Sequence, residues 1–535
     1  MCGIAVAIDC NDAEAIVRRL IGGVLHRGDI TDPIVCPLPM TAMGTRRLQI
    51  VDAEHGVQPQ LSFDNRILVS FNGEIYNHAE LRRELEAEGV VFKTSSDTEV
   101  LASSLRAWGA KALQRINGMY AFVALDIANG EFLAARDPFG VKPLYLIRSD
   151  QSFIFCSEIR PLLSVVEEGN VLLLPPGHVL TRTRFIKFRA FAADPAKAPI
   201  EHDPKTLDRL LAAAVHRRLP PDLPCAILFS GGIDSTLIAH YARQIRPETP
   251  GYFLGGHNAP DYEYAARYAH QTGFELRSVT LDDDAEDSFS RIAEIVETAE
   301  TFEPDVIRGG VCSFLLFRRI HLDGYRVALC GDGADELFAG YVPLELAFAE
   351  NNAAGIFVRD QCLGDLHRTV LQRMDRYGMR FQVEAREPFL DPNVAAYAFG
   401  LSSSALVQTV NGNIRGKAPL RDIWDLYPHH LPISIRNRSK IPLHVGSGLD
   451  ASQNDSPWIT FAEQNVSDRE FADGKRKFAT FDIRTKEELL YMNKLVETLD
   501  VSRVPHLTAR PRLNFPILKN AAKNLELLSS YSVDV

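Results

Sequence analysis

A cysteine stands at position 2, directly after the initiator methionine. Once Met1 is removed, Cys2 carries its own general base, because its free α-amine titrates near neutral pH within reach of the thiol. An incidental buried thiol is the bland alternative. The run Asn72-Gly73-Glu74-Ile75-Tyr76-Asn77 follows an apolar stretch. It offers a side-chain amide and an unhindered glycine N–H, the two donor types that cradle a tetrahedral oxyanion; a turn with a helix cap has the same composition. Arg47 can pair bidentately with a carboxylate or be a solvated arginine. Asp97 can receive an ammonium or simply favour the first turn of a helix.

A second set lies far down the chain. Ser230-Gly231-Gly232-Ile233-Asp234-Ser235 sits between an apolar run ending at Phe229 and a periodic segment bearing Leu237, Ile238, Tyr241 and Ile245. Its glycines let backbone N–H groups approach a phosphate, the helix start favours negative charge, and the hydroxyls can donate. It lacks the Gly-Lys-Ser/Thr of a Walker loop, and a bare strand-turn-helix connection is often only structural. In Cys330-Gly331-Asp332-Gly333-Ala334-Asp335-Glu336 hard carboxylates follow another apolar run. They suit Mg²⁺ bridging between protein and phosphates, with helix capping by Asp332 or Asp335 as the alternative.

These residues need two kinds of framework. Before about residue 190, short runs such as 67–71, 122–125 and 153–155 are punctuated by Gly, Pro and Asn, which predicts strands. Two helices interrupt them, one expected to be capped by Asn77 with Glu80 and to stop near Gly89, the other starting at Ser96 with Glu99. This is an α+β pattern. The small, Pro-containing stretch 190–199 reads as a linker. Beyond it, 225–229 and 326–330 each lead into a Gly-rich turn and a helix, the signature of a parallel α/β sheet with its crevice at the carboxyl ends of the strands. After about residue 345 mainly helices are expected.

At 535 residues the chain suits two or three domains. A net charge of −11 argues against nucleic acid, and no segment nears the roughly 20 apolar residues that span a bilayer, so no membrane partner is expected. Eight scattered cysteines without a C-x-x-C pair fit reduced thiols in the cytoplasm, and the amino terminus lacks a secretory signal.

Together, Cys2-Gly3-Ile4, His26-Arg27-Gly28, Arg47-Leu48 with Ile50-Val51-Asp52, the Asn72–Asn77 run, Ser96-Asp97, Gly118-Met119 and Arg136–Gly140 resemble the amino-terminal-nucleophile glutaminase domain of glutamine amidotransferases. The resemblance implies an αββα sandwich over 2–190, Cys2 as nucleophile, and Asn72 and Gly73 as oxyanion hole. Arg47, Ile50, Val51, Asn72, Gly73, Glu74 and Asp97 would hold glutamine. The Ser230–Ser235 hexapeptide resembles the pyrophosphate loop of ATP pyrophosphatases. With Cys330–Tyr341, Met379, Val383-Glu384-Ala385-Arg386, Pro388–Asp391 and Lys440 it resembles the asparagine synthetase domain. That likeness implies a domain over 205–535, joined by a linker at 191–204. Asp234 and Asp335 would hold Mg²⁺, and Phe229, Ser230, Gly231, Gly232, Asp234, Ser235, Leu254, Cys330 and Gly331 would contact ATP. Asp332 would manage protons, Lys440 would neutralise the leaving pyrophosphate, and Arg308 and Glu384 would contact the acceptor. Family members tend toward dimers.

The expected reaction adenylates a carboxylate, aspartate first in line, and attacks it with ammonia kept inside the protein because free ammonia is mostly protonated in neutral water. Departures cluster near the acceptor: Gly378-Met379-Arg380-Phe381-Gln382 before the Glu-Ala-Arg, and Lys440-Ile441-Pro442-Leu443-His444 after it. Asp29 stands where the family continues with proline. A synthetase of the same architecture acting on another carboxylate is the first rival; a non-catalytic glutamine and nucleotide sensor is the second.

Overall fold

The computed structural model describes residues 2–149, 151–189, 198–280, 289–410, 413–438, 441–449 and 456–507. Half of the expected 191–204 linker, residues 191–197, therefore lies outside the described residues, and so does Lys440. The strands that matter in the first half are β1 Cys2–Ile8, β2 Thr41–Arg47, β3 Ile67–Ile75, β4 Gly118–Asp126, β5 Phe132–Arg136, β6 Tyr145–Ser149 and β7 Ser152–Cys156. They divide between two antiparallel sheets, β6-β7-β1-β2 within one and β5-β4-β3 within the other.

Alternation along β1 explains the layering. Ile4, Val6 and Ile8 point between the sheets, against Leu68, Val123 and Phe132, while Ala5 and Ala7 point outward to Val17, Leu20 and Ile21 of helix α1 Ala13–Gly23. On the far side of the second sheet, Val69 and Phe71 pack on Leu81 of α2 His78–Ala87 and on Val100, Leu101 and Leu105 of α3 Asp97–Trp108. Helix, sheet, sheet and helix thus form the expected αββα sandwich.

The caps differ in detail from expectation. Ser96 caps α3 by accepting from Thr98 N at 3.1 Å, but Glu99 reaches past the cap to Lys93 N and Thr94 N at 2.9 and 2.8 Å. Asn77 precedes α2 without capping it. Its amide is taken by a neighbouring loop, donating to Arg115 O and accepting from Asn117 N, both at 2.9 Å.

Pro204–Arg218 is already a helix, capped by Asp203, so helical structure begins at the last residue of the expected linker, one residue before the expected start of the second domain. The second half is built on five parallel strands, β8 Cys225–Leu228, β9 Gly251–Leu254, β10 Leu276–Val279, β11 Val327–Leu329 and β12 Glu384–Arg386, in the order β10-β9-β8-β11-β12. Chain connections diverge on either side of the β8–β11 pair, so the crevice of the sheet opens there. Helices α4 Ile233–Ile245, α5 Pro304–Leu322, α6 Ala334–Leu337, α7 Val370–Arg380 and α8 Lys486–Leu495 surround it, and helices dominate after residue 345 as expected.

The halves meet through buried charge. Arg27 makes paired hydrogen bonds of 2.9 Å to Asp375 on α7 and one of 2.9 Å to Glu158, while Arg376 reaches Glu158 and Glu300 at 3.1 and 2.7 Å. Asp29, the residue that departs from the family pattern, pairs with Arg326 at 2.7 Å across the same boundary. Arg27 and Arg376, both buried, each face more than one oxygen, the condition under which buried ions are tolerated. None of the eight cysteines is in a disulfide. Among the described residues no helix is long and apolar enough to cross a membrane.

Candidate active sites

Cys2 opens β1 and lies 5% exposed, opposite Arg47 in the β1–β2 pairing. Its main-chain nitrogen donates to Asn72 Oδ1 at 2.9 Å. That bond fixes the Asn72 amide with its Nδ2 buried and without a hydrogen-bond partner, a donor held ready beside the thiol. Gly73 follows at φ 154°, where a Cβ would come 2.0 Å from Met119 O, so a side chain has no room. Burial pushes the Cys2 thiol pKa up, against the Leu48 N–H and the Arg47 charge. A thiol held protonated needs a base at hand.

Arg47 is buried and makes two bonds to Asp32, at 2.8 and 3.2 Å, while Nη1 donates to Ala53 O at 3.0 Å. Asp32 escaped sequence reasoning, because it has no motif around it. Ile50 is buried and Val51 half-buried in the loop after β2. Asp97 accepts from Ile75 N at 3.0 Å; burial raises its pKa to about 6 against that bond. Burial raises Glu74 to about 8, although Arg386 opposes it. The structure thus gathers Cys2, Arg47, Asn72, Gly73, Glu74 and Asp97 from β1, β2, β3 and the start of α3.

The second site is a cavity of ≈ 1540 Å³ at the carboxyl ends of β8, β9 and β11, lined by Phe229, Ser230, Gly232, Asp234, Ser235, Leu254, Cys330, Gly331, Asp332 and Asp335 among others. In the Ser230–Ser235 turn, Ser230 N donates to Ser235 Oγ at 3.2 Å and Gly232 N to Ser230 Oγ at 3.3 Å. Gly231, at φ 67°, passes so close to Ala265 N that a Cβ would sit at 2.6 Å. Gly331 approaches Asp234 in the same way, a Cβ there coming 2.7 Å from Asp234 Cβ, and this closeness brings the two Gly-rich turns together. Between them stands a residue that sequence reasoning missed: Lys417 Nζ lies 2.6 Å from both Asp234 Oδ2 and Asp335 Oδ1. Arg438 donates to Ser230 O at 3.3 Å and pairs with Asp261, adding positive charge beside the turn.

Among the described residues no three His, Cys, Asp or Glu side chains gather into a metal cage. Two carboxylates facing one point fit Mg²⁺ that arrives with phosphates, since this ion keeps most of its shell as water and phosphate oxygen. They do not make a free-standing protein site.

The two expected acceptor contacts fare differently. Arg308 lines the cavity, but Glu487 on α8 holds it bidentately at 2.8 and 2.5 Å, and Tyr491 donates to the same carboxylate at 2.8 Å. Glu384 is buried and absent from the cavity wall. It accepts from Arg386 Nε at 2.6 Å, and Arg386 Nη2 donates to Glu74 at 3.1 Å, so this pair lies between the sites rather than in the acceptor pocket. Asp332 does line the cavity, 3.7 Å from the guanidinium of Arg373 on α7.

Residues 1–172 match the family model described as a glutamine amidotransferase domain, and 206–359 with 356–503 match the one described as asparagine synthase. An asparagine synthetase [glutamine-hydrolyzing] of Triphysaria versicolor is 30% identical, covering 92% of this chain and 85% of the relative. A probable asparagine synthetase [glutamine-hydrolyzing] of Schizosaccharomyces pombe is 30% identical over 93% of both, and asparagine synthetase 1 of Arabidopsis thaliana is 29% identical over 92% and 85%. Among solved structures, an allosteric regulatory enzyme of purine biosynthesis aligns over 52% of this chain and 65% of that chain, at 19% identity and a TM-score of 0.31.

Proposed function

We propose that this chain, which belongs to the glutamine-hydrolysing asparagine synthetase family, releases ammonia from glutamine at Cys2 and delivers it to aspartate activated by ATP. The products would be asparagine, glutamate, AMP and pyrophosphate. In the first site, the α-amine of processed Cys2 takes the thiol proton, the sulfur attacks the amide carbon, and Asn72 Nδ2 with the Gly73 N–H receives the oxyanion. Arg47, with Asp97 and Glu74, holds the carboxylate and amine of glutamine, and Ile50 and Val51 wall the pocket. In the second, the Ser230–Ser235 turn cradles phosphates of ATP against Phe229, Leu254, Cys330 and Gly331. Asp234 and Asp335 would hold Mg²⁺, which supplies charge neutralisation on those phosphates. Asp332 would take a proton from the attacking ammonia, and Lys440 would face the leaving pyrophosphate. A glutaminase domain over 2–190, a synthetase domain over 205–535, a homodimer and residence in the cytoplasm belong to the same reading.

The observation that carries it is the continuity between the sites. Leu48, Ile50, Tyr76 and Met119 beside Cys2 belong to one apolar core with Phe229, Ile233, Leu329 and Ala334 beside the cavity. Apolar side chains along such a contact would exclude ammonium, which is costly to bury, and favour neutral ammonia. A second reading, that the acceptor is a different carboxylate, is favoured by one observation: Arg308 is engaged by Glu487. Incubation with Mg·ATP, glutamine and a panel of carboxylates, with products identified by mass, decides between them. Asparagine with equimolar AMP supports aspartate; glutamate without aspartate-dependent pyrophosphate excludes it.

A further inference from the structure

Asp234 comes from the first turn of α4 and Asp335 from α6, and both are buried. Two ionised carboxylates converging in a buried place repel one another unless a cation stands between them. Lys417 supplies one, 2.6 Å from each and itself 5% exposed. The surroundings are shaped for it. A Cβ on Gly340 would come 2.2 Å from Lys417 Cε and 2.0 Å from Asp335 Oδ1, and a Cβ on Gly416 would come 1.6 Å from Ala339 O. Lys417 is held at φ 57°, a conformation that residues other than glycine disfavour, with its N–H donating to Phe338 O at 2.8 Å. Backbone and glycines alike aim one ammonium at the two oxygens.

We propose that Lys417 is a resident counter-ion of the metal carboxylates, holding Asp234 and Asp335 together in the free enzyme and yielding them to Mg²⁺ delivered with the nucleotide. The inference rests on the assignment of those two aspartates to the metal. A lysine suits the task where an arginine would not: its ammonium is a compact point charge on a flexible stem, able to leave without breaking a planar fork of bonds. Displaced, it still sits among the phosphates whose entry displaced it. Metal without nucleotide should then bind poorly, because it must expel a cation and gains no phosphate oxygens.

The test is binding of free Mn²⁺, without nucleotide, followed by electron paramagnetic resonance in the full chain. Lys417→Gln should tighten Mn²⁺ binding by at least about tenfold by removing the competing charge. Lys417→Arg should bind Mn²⁺ no more tightly than the wild type, and adding Asp335→Asn to Lys417→Gln should abolish the gain. Thermal melting checks that each variant folds, and Lys417→Met serves if the glutamine variant does not. Equal Mn²⁺ affinity in the wild type and both neutral variants overturns the proposal, because a merely structural ion pair predicts lost stability without tighter metal. If the aspartate reading is wrong, the product panel fails while the Mn²⁺ pattern stands.

Discussion

The two sites of this molecule are prepared to different degrees. Around Cys2 the groups are already in place: Asn72 is fixed by the Cys2 nitrogen, its Nδ2 has no competing partner, and Gly73 and Asp97 are set by strand pairing and a helix start. At the carboxyl ends of β8 and β11 the protein's own side chains occupy the places of ligands. Lys417 stands between the aspartates, and Glu487 holds Arg308. The contrast is one of degree, since Arg47 beside Cys2 is itself paired with Asp32; on the proposed function, a site for glutamine alone is largely preorganised, while one that would collect a nucleotide, a metal and an acceptor keeps its charges paired until they arrive. An unpaired buried charge would otherwise cost several kcal/mol.

The sharpest break between the two regions should come from Cys2→Ala. Glutamine-dependent synthesis should fall by more than about a thousandfold, as expected when a nucleophile is removed, while synthesis from added ammonium survives. Equal loss of both would mean that the sites are not separate. The reciprocal change, Asp335→Asn, should lower acceptor-dependent pyrophosphate release by about a hundredfold and spare glutamine hydrolysis, measured as glutamate formed. An unchanged pyrophosphate rate would remove Asp335 from the metal.

A smaller effect concerns pH. Burial raises Asp97 to about 6, so its carboxylate is charged only above that value. The KM for glutamine should therefore climb as pH falls through about 6, approaching tenfold per unit, because the neutral acid cannot pair with the glutamine α-ammonium. Asp97→Asn should bind glutamine weakly at every pH and flatten the profile. KM values of the Cys2→Ala enzyme, expressed as free ammonia, should show no such bend near pH 6.

What could be read from the sequence was what is local. The strands at 67–71, 122–125 and 153–155 and the two Gly-rich turns are contiguous in the chain, and each lies where periodicity put it, whereas Asn72-Gly73, expected to follow the first of these strands, continues it as part of β3. The residues that escaped are joined to their partners only by the folded chain: Lys417 stands 183 positions from Asp234, and Glu487 stands 179 from Arg308. Asp32 is 15 positions from Arg47, yet pairing of β2 with its neighbours, not local sequence, brings them together. Asn77 illustrates the converse. Its place before a helix was legible, but its side chain serves the loop at Arg115 and Asn117, and no local rule expresses that competition.

The claim on which the rest depends is that ammonia passes from the first region to the second without entering water. It is tested most directly with glutamine labelled with ¹⁵N at the amide, supplied with Mg·ATP, aspartate and a large excess of unlabelled ammonium at a pH where free ammonia is scarce. The account predicts that the amide of the asparagine formed carries the label at nearly the enrichment of the glutamine. Label diluted to the level of the bulk ammonium would contradict it.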